Sequence, residues 1–132
     1  MTEKIRPYLL LIFLIGLDQT VKWWVLRHPL FVKINSEFIF GLGQNWDLFF
    51  WISCILIVIL FLLSFRRPIM QIYSLFIILA AAISNLTDRI FRGGVVDYWR
   101  LQYFHTTLFF NLADVLLVIG VIIYVWQIRK EN

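Results

Sequence analysis

Three ionisable residues of this 132-residue sequence stand inside otherwise apolar runs: Asp18, Lys22 and Asp114. A charge near the centre of a bilayer costs roughly 2.5–3.5 kcal/mol on insertion scales, so intramembrane ionisable groups are functional candidates by default. Asp18 and Lys22 are spaced i,i+4, Asn85 stands one turn before Asp88 and Arg89, and Asn111 one turn before Asp114. Such spacings put each set on one helix face, so three helices each present a polar face. Structural accounts stand beside the functional ones. Asp18 and Lys22 also read as an ion pair that lets a charged turn be buried. Asn85, Asp88 and Arg89 also read as a polar helix end, which suits the cation Arg89 better than Asp88. Asp114 is harder to dismiss, because a lone carboxylate among apolar residues is protonated or paired. Asp97 lies in Gly93-Gly94-Val95-Val96-Asp97-Tyr98-Trp99, where a glycine pair and a β-branched pair suggest a turn into a short extended segment at the interface. It is an ordinary loop acid unless it meets Asp114.

Two carboxylates brought close in a low-dielectric site share a proton, which leaves one base and one acid near neutral pH. That is the working state of an aspartyl peptidase, in which the base activates water and the acid protonates the substrate as the tetrahedral intermediate forms and collapses. Other catalytic constellations are absent from the sequence. There is no Ser/His pairing at a nucleophile elbow, no His-Glu-x-x-His, and no Cys/His spacing for a metal around the single Cys54. His28 and His105 read as interfacial loop residues, and neither a metal nor a cofactor is expected. Two other functions use the same residues. A proton-coupled transport component would make Asp18, Lys22 and Asp114 a relay, but it needs polar residues through the second span, which offers almost none, and leaves Asp97 without a role. A non-catalytic scaffold would require the acids to be dispensable.

The elements that must position these groups follow from composition. Hydrophobic residues make up 61% of the chain and charged residues 15%, far from the balance of a soluble domain. Four stretches can cross ~30 Å of hydrocarbon, approximately residues 7–26, 48–65, 69–86 and 107–127. The first is expected to be retained, because Asp18 and Lys22 interrupt it and no small-x-small cleavage site follows. At about 1.5 Å per residue, Asp18 falls roughly 12 Å and Asp114 roughly 10 Å inside the outer ends of their spans, with Asp88 and Arg89 at the outer end of the third. The net charge of +4 has no basic stripe to read nucleic acid and is taken as topological. Four spans place both termini on one side. Lys4, Arg6, Arg66, Arg67, Arg129 and Lys130 mark that side as cytoplasmic, against Arg27, Lys33, Arg89, Arg92 and Arg100 opposite. Arg66-Arg67-Pro68 predicts a tight turn between spans two and three. Residues 31–43 predict a short strand or hairpin.

The sequence resembles the lipoprotein signal peptidases, the type II signal peptidases of bacteria, in five blocks that follow in order through nearly the whole chain. Asp18-Gln19-Thr20-Val21-Lys22 is similar to the family's Asp-Gln-x-x-Lys. Asn35 to Gly41 is similar to Asn-Thr-Gly-Ala-Ala-Phe-Gly/Ser, Asn85 to Arg89 to Asn-x-x-Asp-Arg, Val95 to Tyr98 to Val-Val-Asp-Phe, and Phe110 to Asp114 to Phe-Asn-x-Ala-Asp. The chain departs at Glu37, Phe38 and Ile39, which replace Gly-Ala-Ala, and at Ser84, where a glycine usually stands.

The resemblance implies an all-α membrane protein, a single domain over residues 1–132 of four transmembrane helices with a small extracytoplasmic β element. It implies Asp97 and Asp114 as the catalytic dyad, with Asn85, Arg89, Asn111, Asp18, Lys22, Asn35 and Asp88 lining or bracing the site. The implied substrate is a diacylglyceryl prolipoprotein, cut before its lipidated cysteine. The implied setting is the bacterial plasma (inner) membrane, with membrane lipid as solvent, the site near the extracytoplasmic face, and no need for more than a monomer.

Overall fold

The computed structural model describes residues 2–28, 32–35, 46–64 and 68–131. In chain order these form α1 (Thr2–Arg27), β1 (Lys33–Asn35), α2 (Trp46–Ser64), α3 (Ile69–Arg92), β2 (Val95–Asp97), β3 (Trp99–Tyr103), β4 (Thr106–Phe110) and α4 (Leu112–Glu131). Helix α3 is the centre of the bundle and packs against α1, α2 and α4. Its Leu75, Phe76, Leu79, Ala80 and Ala81 are buried, and the two alanines let neighbouring backbones come close. Tyr8 of α1 meets Phe76 edge to face with centroids 4.9 Å apart. Ser74 Oγ donates a 2.7 Å hydrogen bond to Gln127 Oε1, tying α3 to α4.

The outside of this bundle is as apolar as its core. Leu9, Ile12 and Phe13 on α1, Ile55 and Leu62 on α2, and Val118 and Ile122 on α4 are all exposed. A water-soluble bundle hides such residues, whereas hydrocarbon covers them at no cost. Helices α1, α3 and α4 are each long and apolar enough to cross a membrane, and residues 51–64 of α2 form a shorter apolar helix. The chain is a mostly helical, multi-pass membrane protein.

Two helix ends differ from the expected spans, and both differences matter for the site. Helix α3 runs past Leu86 to Arg92 and stops at Gly93, whose φ of 74° is left-handed and favours glycine. Asn85, Asp88 and Arg89 therefore lie within its last turns. Helix α4 begins at Leu112, not near Thr107, because residues 106–110 are strand. Thr106-Thr107-Leu108-Phe109-Phe110 is β-branched and aromatic and finds a partner in β3. Asp114 thus stands in the first turn of α4 rather than well inside it.

The four strands form two antiparallel pairs. In the first, Lys33 pairs with Asp97 and Asn35 with Val95. Gly94 makes this pairing possible, since a Cβ there would lie 2.9 Å from the Asn35 carbonyl oxygen. In the second, Trp99 pairs with Phe110 and Leu101 with Leu108. Alternation puts Trp99, Leu101, Leu108 and Phe110 on one face of this hairpin and Arg100, Gln102 and Thr107 on the other. Beyond β1, the strand or hairpin expected over 31–43 lies outside the described residues, as does the turn around Arg66-Arg67.

Candidate active site

The bundle is organised around one buried ammonium. Lys22 is wholly buried, and its Nζ lies 2.7 Å from Asp18 Oδ2, 2.7 Å from Asp88 Oδ2 and 2.9 Å from Asn85 Oδ1. An ammonium has three donors, and here each meets an oxygen. The two carboxylates carry the connection outward. Asp18 Oδ2 accepts from Ser84 Oγ at 2.6 Å, and its Oδ1 accepts from the Ala113 backbone N–H at 3.0 Å. That N–H is one of the unpaired donors in the first turn of α4, where an anion is welcome. Asp88 Oδ2 accepts from the Val96 N–H at 3.2 Å, and its Oδ1 accepts from Gln19 Nε2 at 2.9 Å and pairs with Arg92. One cluster therefore fixes α1, α3, β2 and the start of α4 against each other.

From this anchor two amides reach the remaining acids, and chemistry dictates which way each amide faces. The Asn85 oxygen must meet the ammonium, so its Nδ2 turns away and donates to Asp114 Oδ1 at 3.0 Å. The Asn111 oxygen accepts from the Asp114 N–H at 3.0 Å, so its Nδ2 donates to Asp97 Oδ1 at 2.8 Å. Asp114 Oδ2 in turn accepts from the Asn111 N–H at 3.0 Å. Asn111 and Asp114 thus form a reciprocal capping box that starts α4. Asn111 Nδ2 also lies 3.3 Å from Asn85 Oδ1. Asp97 is completed from β1, where Asn35 Nδ2 donates to its Oδ2 at 3.3 Å. The loop acid and the helix acid share one residue, Asn111, whose side-chain Nδ2 donates to Asp97 and whose backbone N–H donates to Asp114.

Arg89 takes a different part. Its Nη1 donates only a long 3.4 Å bond to the Asn85 carbonyl, and it forms no ion pair among the described residues. Its charge is nevertheless felt by Asp114, Asp88 and Asp97. Side-chain hydrogen bonds or ion pairs join eight of the nine residues expected at the site in one network, and Arg89 is tied to it only through the Asn85 backbone carbonyl. Among the described residues, no three His, Cys, Asp or Glu side chains converge to hold a metal.

Four members escaped the sequence reading. Gln19 donates to Ser84 Oγ at 2.9 Å and accepts from Arg92 Nη1 at 2.8 Å, so with its bond to Asp88 it joins α1 to three residues of α3. Ser84 stands one turn before Asp88, a spacing that could have found it. Tyr98 holds the chain on both sides of Asn111. Its N–H donates to the Phe110 carbonyl at 3.2 Å, and its hydroxyl oxygen accepts from the Leu112 N–H at 3.0 Å. Burial pushes the Tyr98 phenol up to about 12, so it stays protonated at neutral pH.

The Asp97 carboxyl is held above its ordinary range, first by burial and then by the nearby charge of Asp114. The bonds from Asn111 and Asn35 and the charge of Lys22 work against that shift. A buried carboxyl that resists ionisation beside a second carboxylate is the arrangement that retains one shared proton.

Comparison with known proteins gives a consistent picture. The family model described as "Signal peptidase (SPase) II" matches residues 10–130. The chain is 32% identical to a lipoprotein signal peptidase of Serratia marcescens, over 93% of this chain and 86% of that protein. It is 36% identical to one from Clostridioides difficile, over 86% and 88% respectively. Its fold matches that of a bacterial membrane enzyme solved by the in meso method at 2.3 Å, with a TM-score of 0.80 and 25% identity, covering 96% of this chain and 88% of that one.

Proposed function

Since the chain belongs to the signal peptidase II family, a family of proteases, we propose that Asp97 and Asp114 are the pair with which it removes signal peptides from prolipoproteins. The reading extends to a substrate whose lipobox cysteine already carries diacylglycerol and which is cut just before that cysteine. The observation that carries it is the bridge of Asn111 between the two carboxylates.

Of the pair, Asp114 is the better base. It sits at the positive end of α4, accepts an N–H from that helix start, and has the Lys22 charge one amide behind it. It takes a proton from water as the water attacks the peptide carbonyl. Asp97 keeps the shared proton, gives it to the carbonyl oxygen, and after exchange a carboxyl protonates the leaving nitrogen. Arg89 is placed to hold the substrate backbone or the developing negative charge.

The whole chain is read as one peptidase domain over residues 1–132 with four spans, α2 included. An even number of spans puts both termini on one side, which the basic residues mark as cytoplasmic. The site then opens at the extracytoplasmic face of the bacterial inner membrane, where a lipidated cysteine presents its scissile bond. A monomer suffices, because every group of the mechanism comes from one chain.

A gel-shift assay with purified protein tests the substrate. The lipidated prolipoprotein is converted and its unlipidated form is left intact. Equal cutting of both would remove lipid recognition from the reading.

The rate profile tests the dyad. Because the Asp97 pKa is raised, kcat/KM follows a bell whose alkaline limb lies above the ordinary carboxylate range. Asn35→Ala removes a hydrogen bond that favours the charged form, so this limb moves further up in pH. For stability the sign is the same as for any raised acid. The contribution of protonated Asp97 is full below the unfolded pKa and is lost as pH rises through the folded one. An Asn35→Ala limb that stayed in place, or moved down, would detach Asp97 from the titration.

A further inference from the structure

A groove of about 470 Å³ is lined by Gly16, Gln19, Thr20 and Trp23 of α1 and by Arg92 of α3. The α1 residues fall at i, i+3, i+4 and i+7, a single stripe about 10 Å long at 1.5 Å per residue. Its end at Gly16 is open, and a Cβ there would touch nothing within 4 Å. Its other end is cationic and aromatic. The Arg92 side chain is 23% exposed, and the Arg27 guanidinium stands 3.7 Å over the half-exposed Trp23 ring. Arg92 uses Nη1 on Gln19 and Asp88, which leaves its Nη2 and Nε without a partner among the described residues.

We propose that this groove binds an anionic phospholipid, with its phosphate on Arg92 and Arg27 and one acyl chain laid along Gly16 and Thr20. Charge decides the occupant. An apolar groove that faces hydrocarbon takes any acyl chain, but two guanidinium groups beside an interfacial tryptophan call for an anion. The diacylglyceryl group of a lipidated substrate carries no charge, so it satisfies only half of the groove. Arg92 shares Asp88 with Lys22, so a lipid here bears directly on the cluster that positions the acids.

The test is thermal unfolding of the purified protein in mild detergent with phosphatidylglycerol or with diacylglycerol added. Phosphatidylglycerol raises the midpoint by several degrees and diacylglycerol leaves it nearly unchanged. Gly16→Leu, which fills the open floor, and Arg27→Gln, which removes an exposed rim charge, each remove at least half of the phosphatidylglycerol shift. Equal shifts in both variants would reduce the effect to non-specific lipid contact, and an equal shift with diacylglycerol would remove the anion. A midpoint that tracked protein rather than lipid concentration would make the occupant another helix. Each of these three results overturns the proposal.

Discussion

Asp97→Asn and Asp114→Asn each abolish cleavage of a diacylglyceryl prolipoprotein, a loss of about 10²–10⁴-fold or more from removal of a positioned acid or base. Expression and membrane insertion stay near normal, because asparagine keeps the shape and one acceptor oxygen. At position 114 that oxygen still accepts from the Asn111 N–H and preserves the start of α4. At position 97 it still accepts from Asn111 Nδ2. The measurement is the same gel shift, run beside size-exclusion profiles of the solubilised variants. Wild-type turnover in either variant would dismantle the dyad.

Lys22→Met produces the largest loss of stability. It leaves Asp18 and Asp88 buried with no ammonium between them, and breaking a buried pair in this way costs about 3–5 kcal/mol. The cost appears as a lowered unfolding midpoint in detergent. Restoring neutrality with Asp18→Asn in the same chain, which leaves Asp88 paired with Arg92, recovers much of the midpoint, since an uncharged group buries more easily than an unpaired charge. Turnover is not recovered. Without the ammonium, the Asn85 oxygen keeps only the 3.3 Å contact from Asn111 Nδ2 to hold it inward and its Nδ2 toward Asp114. A double variant that regained full activity would show that Lys22 serves folding alone.

The helices and most of the site were legible because burial of polar groups in an apolar run is costly and therefore informative. Asp18, Lys22 and Asp114 could be found by that cost, and Asn85, Asp88 and Asn111 by helical spacing from an acid. Asp97 could not, since its place in the network rests on a pairing between β1 and β2 that no local pattern encodes. It was reached through the family resemblance. The start of α4 was misplaced because hydropathy does not separate a five-residue strand such as Thr106–Phe110 from the first turn of a span. Period two was visible in the alternation of Trp99, Leu101 and Tyr103, which is where a strand partner could have been sought. Gln19 and Arg92 were missed for a different reason. Spacing tells which residues share a helix face, but not which level of one helix meets which level of the next.

The buried ammonium also sets an order in time. Lys22 is 63 residues ahead of Asn85 in the chain, and Asp18 is 66 ahead of Ser84, so α1 is synthesised long before α3 can complete its coordination. Among the described residues of α1, the partner that neutralises Lys22 within its own helix is Asp18, at i,i+4. The folded cluster keeps that pair and completes it from α3, with Asp88, Asn85 and Ser84.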